Sequence, residues 1–101
     1  MGGSSVPVIA TSCPKLRKIF LTANRSVTDA DMLALAEHCP LLEQVDILGN
    51  NSVTGKTANT LLARCPRLSF FDLSFCNRLT EDVHVELRRR YPHCDIKRSF
   101  Q

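Results

Sequence analysis

Apolar residues return along this chain at one fixed distance. Leu16, Leu42 and Leu68 lie 26 residues apart, as do Ile19, Val45 and Phe71, and then Leu21, Ile47 and Leu73. The frame that carries them is clearest at 65–80, CPRLSFFDLSFCNRLT. It recurs without insertion or deletion at 13–28, CPKLRKIFLTANRSVT, and at 39–54, CPLLEQVDILGNNSVT. Residues two apart in a strand share a side, so the last two columns face one way. Phe20, Asp46 and Asp72 stand between them and face the other. Each unit therefore predicts a short strand with one buried and one open side.

Three residues beyond the strand come Asn24, Asn50 and Cys76. There the chain must turn, and an Asn side chain offers donors and an acceptor to backbone groups leaving the ladder. Cys76 takes the same place as a small buried residue. Thr28, Thr54 and Thr80 follow as helix N-caps, with Thr28 and Asp31 at capping-box spacing. Met32, Leu35, Ala36 and Cys39 form one helical face. GKTANTLLAR at 55–64 is rich in weak helix formers, yet Leu61 and Leu62 keep the inward columns. Glu81 and Asp82 suit the first turn of a third helix. His84 stands where Met32 and Ala58 point inward, which predicts that this helix shifts to use Val83 or Val85. Pro40, Pro66 and Pro92 stop the helical segments.

A period in this range with L-x-x-L-x-L inside it predicts an α/β leucine-rich-repeat solenoid, its parallel sheet on the concave face and its helices on the convex face. The repeats would occupy 13–38, 39–64 and 65–90. Residues 1–12 read as the end of a preceding, incomplete repeat, and 91–101 as a terminal partial repeat or cap. Strict period would turn Cys94, Lys97 and Ser99 inward. Alternation instead turns Cys94 and Ile96 inward, leaves Lys97 in solvent and folds Phe100 over the end. With no polar cap before the first strand, the chain reads as a fragment of a longer protein, prone to self-association through the strand of Ile19 and Leu21.

Composition excludes more than it selects. The 101 residues carry a net charge of +3 and no Trp, so no global electrostatic steering is implied. No apolar run is long enough to span a membrane, and the short patch VPVIATS lacks the basic leader and long core of a signal peptide. The five cysteines lack C-x-x-C pairing, so no metal site is expected. Cys13, Cys39 and Cys65 form a period-26 column, read as small buried free thiols of a reducing, intracellular compartment. GNNSVTGKT at 49–57 is a near miss for a phosphate loop: the motif needs Gly where Asn50 stands. The sequons at Asn24 and Asn50 use the turn asparagines, so the structural reading is preferred. His38, His84 and His93 share no column, and no catalytic residue, enzyme activity or cofactor is expected.

The frame CPxLxxLxLxxC…LT resembles the cysteine-containing leucine-rich repeats of the F-box proteins. KIFLTANRSV (18–27), VDILG (45–49), FDLSFC (71–76) and IKRSFQ (96–101) resemble the C-terminal end of one branch of that family. The resemblance implies the substrate-recognition end of a Skp–cullin–F-box ubiquitin ligase receptor, with a protein substrate as partner. It also implies a cytoplasmic location, with mitochondrial association in that branch. No stretch of these residues can be an F-box, so the Skp–cullin complex would be reached only through an F-box outside them.

The expected binding face is Lys18, Phe20, Thr22, Gln44, Asp46, Leu48, Phe70, Asp72 and Ser74. Phe20, Leu48 and Phe70 would be anchors, and Asp46 and Asp72 would select a basic or hydrogen-bond-donating partner. The rival surface is a basic patch of Arg88, Arg89, Arg90, Lys97 and Arg98, whose plainer reading is a solvated end cap. With no aromatic interleaved among those charges, nucleic acid is not expected as a partner. The alternative function is purely structural: an end-cap of a longer solenoid, with substrate contacts elsewhere. A stand-alone inhibitor-type repeat protein would need an N-terminal cap of its own.

Overall fold

Four strands of three residues each make one parallel sheet: β1 (Lys18–Phe20), β2 (Gln44–Asp46), β3 (Phe70–Asp72) and β4 (Asp95–Lys97), in that order. The computed structural model describes residues 6–22 and 26–99. Asn24 and Phe100, and with them the first turn asparagine and the expected closing aromatic, lie outside the described residues. Helices α1 (Val6–Ser12), α2 (Asp29–His38), α3 (Gly55–Arg64) and α4 (Glu81–Arg90) alternate with the strands. The register follows the sequence period between the first three strands: Lys18 pairs with Gln44 and Gln44 with Phe70. At β4 the spacing shortens by one residue, because Phe70 pairs with Asp95. That brings Ile96 into line with Phe71 and buries it, and leaves Lys97 exposed.

One core fills the space between the sheet and the four helices. Ile19, Val45, Phe71 and Ile96 form its strand column, and Met32, Leu35, Leu61 and Leu62 face them from the helices. Each of α2, α3 and α4 begins just after a threonine, with three different bonding patterns. The Asp31 carboxylate accepts the Thr28 N–H at 2.9 Å. Thr80 Oγ1 accepts the Val83 N–H at 3.4 Å. Thr54 is tied across units: its N–H and hydroxyl both donate to the Asp29 carboxylate, at 2.8 and 3.0 Å. Asn50 holds the turn after β2. Its Nδ2 donates to the Val27 carbonyl at 2.9 Å, and its Oδ1 accepts the N–H groups of Ser52 and Val53, each at 2.8 Å.

The expected solenoid needs correction. The molecule is a small compact α/β domain of four helices and a four-stranded parallel sheet. Its radius of gyration is 12.3 Å and its extents are 33 × 28 × 18 Å, close to the ~13 Å of a compact 100-residue domain. The physical reason is length: curvature accumulates over many units, and four three-residue strands build a patch rather than a horseshoe. The third helical position also differs from its predecessors. Val83 is half-buried and Val85 is 58% exposed, and Leu87 is the buried residue of α4. His84 is half-buried and sets its Nε2 2.9 Å from the Ile96 carbonyl.

Candidate functional site

The open side of the sheet carries two rows of side chains, set by the ladder. Lys18, Gln44, Phe70 and Asp95 form one row, and Phe20, Asp46, Asp72 and Lys97 the other. Phe20 is 58% exposed, and Phe70 is half-buried among its row neighbours. Eight of the expected face residues are exposed or half-exposed, Thr22 and Leu48 among them; the ninth, Ser74, is buried at 5%.

Asp46 and Asp72 do more than face solvent. Asp46 Oδ1 accepts the Leu48 N–H and Asp72 Oδ1 accepts the Ser74 N–H, both at 2.9 Å. Each carboxylate therefore fixes the backbone leaving its strand. Two such groups stand side by side on adjacent strands, with Lys97 beside Asp72 at the end of their row.

The structure adds Phe75, which the sequence reading passed over. It is 40% exposed and adopts a φ of 60°. Gly49, one period earlier, has a φ of 80°. The turn needs left-handed backbone, which glycine takes freely and a bulky aromatic does not. The period was the signal that could have found it.

The five basic residues have different surroundings. Lys97 lies on the sheet face and pairs with Asp95 at 3.8 Å. Arg98 turns to the other end of the strands, its Nε donating to the Leu79 carbonyl at 3.0 Å. Arg89 and Arg90 pair with Glu86 at 3.5 and 2.8 Å. Arg88 and Arg89 border a groove of about 670 Å³ with Val85, His93 and Asp95. A second groove, about 490 Å³, runs between α3 and α4 past Gly55, Asn59, Val83 and Leu87.

No group of three or more metal-ligating side chains occurs among the described residues. All five cysteines are free thiols. Cys39 donates its thiol hydrogen to the Cys13 carbonyl, and Cys65 to that of Cys39, each at 3.4 Å. Burial pushes the Cys65 and Cys94 thiols up to about 11 and raises Cys39 and Cys76 as well. Such thiols are poor nucleophiles. Cys13 departs from the expected buried column and is exposed. In the 49–57 loop, Asn50 and Thr54 are already bonded to Val27 and Asp29. No helix of the described residues is long and apolar enough to cross a membrane.

Over 92 residues, 91% of its length, the chain is 61% identical to F-box/LRR-repeat protein 4 of Bos taurus. It is a relative of the F-box/LRR-repeat proteins. The matched stretch is 15% of that bovine protein, so the chain corresponds to a small part of it. Kinship with an F-box/LRR-repeat protein is consistent with a protein-interaction role. No protein-family model matches the chain. Among solved structures, it is similar to the leiomodin-1 actin-binding site 2, with a TM-score of 0.59 at 9% identity. That match covers 96% of this chain and 79% of the other. It is also similar to the tropomodulin C-terminal domain from Caenorhabditis elegans, with a TM-score of 0.55 at 12% identity over 95% and 81% of the two chains. At these identities the likeness is one of fold. It places the chain beside tropomodulin and leiomodin domains and overturns the expected leucine-rich-repeat solenoid.

Proposed function

We propose that the open side of the sheet is a protein-recognition surface, the contact face of a non-catalytic substrate receptor of the F-box/LRR kind. The observation that carries this reading is the exposed aromatic Phe20, with Phe70 two strands away and Asp46, Asp72 and Lys97 between and beside them. A solvated sheet has no need of aromatics there, whereas an interface anchors on them. In that role the chain captures a protein substrate, and recruitment of the Skp–cullin complex falls to an F-box outside these residues. The kinship with F-box/LRR-repeat protein 4 supports the receptor context.

A second reading, closure of one end of a larger sheet, is favoured by His84, which bonds the outer-edge carbonyl of β4. Site-specific photo-crosslinking separates the two. Benzoylphenylalanine is placed at Phe20, at Phe70, and at Val8 on α1 in cells producing the chain. Protein recognition predicts discrete adducts of one partner from positions 20 and 70 and none from position 8. Equal, diffuse labelling from all three would set the proposal aside.

A further inference from the structure

The middle of the open sheet face differs from its margins. Strands β2 and β3 each have a strand on both sides, so their surroundings do not depend on what lies beyond β1 or β4. Gln44, Asp46, Phe70 and Asp72 are half-buried there, whereas Lys18, Phe20, Asp95 and Lys97 on the outer strands are exposed. Within this sheltered middle, Asp46 stands directly beside Asp72 and Gln44 directly beside Phe70.

Two aspartates in register on neighbouring strands, ~4.8 Å apart across the ladder, repel each other. Among the described residues no ion pair offsets that charge. Lys97 follows Asp72 in the row, but its ammonium lies 3.8 Å from Asp95. The other ion pairs join Arg17 to Glu43, and Arg89 and Arg90 to Glu86, and none reaches Asp46 or Asp72. One oxygen of each carboxylate accepts the N–H two residues on, at 2.9 Å, so both groups are held in place before any partner arrives.

A bare metal ion does not suit this place. Two carboxylates, each with one oxygen already bonded, fall far short of the about six to eight oxygens that calcium takes. A guanidinium does suit it. It is planar, it presents its N–H donors as a fork that carboxylates accept, and it stacks its flat face on an aromatic ring. An ammonium is a point charge without that flat face.

Taking the open face as the protein-recognition surface proposed above, we infer that its middle is the seat of one arginine of an extended partner segment. The guanidinium bridges Asp46 and Asp72 and lies against Phe70, while Phe20, beside Asp46 in the row, receives an apolar neighbour from the same segment. Lys18 and Lys97 stand at opposite corners of the face. They disfavour a run of basic residues, so the segment carries a single cation among apolar or neutral side chains.

The probe is the tripeptide acetyl-glycyl-arginyl-glycine amide, titrated to about 50 mM into the 101-residue chain and read by amide NMR. The Leu48 and Ser74 N–H groups, bonded to the two carboxylates, are the reporters. Expected is a saturable shift of both, with a dissociation constant on the order of 1 mM. The lysine counterpart should bind at least about 5-fold more weakly, and the uncharged citrulline counterpart should give no shift. Asp46→Asn and Asp72→Asn keep an oxygen for the backbone N–H and lose the charge, so the fold stays and each weakens binding about 10-fold. Phe70→Leu should weaken it about 3-fold. No saturable shift at Leu48 and Ser74, equal binding of the lysine tripeptide, or unchanged binding to the doubly substituted Asp46→Asn/Asp72→Asn chain would each overturn the assignment. If photo-adducts from positions 20 and 70 are discrete but the arginine tripeptide does not bind, the recognition surface stands and its arginine seat falls.

Discussion

Replacing Asn50 by alanine removes one side chain that serves two successive units. Asn50 is 1% exposed, and it bonds the Val27 carbonyl behind it and the Ser52 and Val53 N–H groups ahead of it. Val27 and Val53 are both at 0% exposure, so water cannot take over without opening the core. Each buried polar group left without a partner costs ~1–3 kcal/mol, and the Val27 carbonyl and Val53 N–H together ~2–6 kcal/mol. Against a total stability of ~5–15 kcal/mol for a small domain, that is a large share. At ~4–8 °C per kcal/mol, the melting midpoint should fall by at least ~8 °C. The assay is thermal and urea unfolding followed by circular dichroism. Asn50→Asp keeps the acceptor and loses the donor to Val27, so its midpoint should fall between the two. Asn51→Ala, at an exposed neighbour, should be nearly silent. A midpoint for Asn50→Ala within a degree of the unsubstituted chain would refute the reasoning.

Three further outcomes are expected. A Cβ at Gly55 would lie 2.7 Å from Val83 Cγ1, so Gly55→Ala should destabilise by ~1–3 kcal/mol despite better helix propensity, and Val83→Ala in the same chain should recover most of the loss on urea titration. Phe75→Gly relieves a φ of 60° worth ~1–2 kcal/mol and should raise the melting midpoint, which a lower midpoint would contradict. Native alkylation read by mass spectrometry should modify Cys13 alone, with Cys39, Cys65, Cys76 and Cys94 reacting only on unfolding; because burial raises Cys65 and Cys94 from 9.0 to about 11, their contribution to stability is full below pH 9 and is lost as pH rises toward 11.

Strand positions were legible because burial on one side of a strand forces a period of two within a period of 26. Ile19, Val45 and Phe71 reported it directly; at the last strand the sequence left two registers open, and β4 takes the one that buries Cys94 and Ile96 and leaves Lys97 exposed. Helix α3 was legible from Leu61 and Leu62 despite its weak formers. The overall shape was not legible, since a local motif says how one unit folds and nothing of how many units follow. Side-chain-to-backbone bonds also escaped the sequence. Asp46 and Asp72 read as free carboxylates, yet each also holds the N–H two residues on. Thr54 read as an isolated cap, yet it is bound to Asp29 in the unit before. His84 read as a misplaced inward residue. Its reason is the β4 carbonyl, which exists only once the sheet has formed. Lys97 and Arg98 are neighbours in sequence, yet Lys97 pairs with Asp95 and Arg98 bonds the Leu79 carbonyl, partners that only the folded chain supplies.

The claim that the open sheet face recognises a protein is tested most directly by partner capture at equal folded protein. Phe70→Ala and Asp46→Ala are compared with Arg88→Glu/Arg89→Glu on α4, each in a full-length receptor that supplies an F-box. The account predicts that Phe70→Ala weakens capture by ~2 kcal/mol, about 30-fold, that Asp46→Ala weakens it less, and that the charge reversal leaves it intact. Normal capture by both face variants, with capture lost on charge reversal, would contradict it.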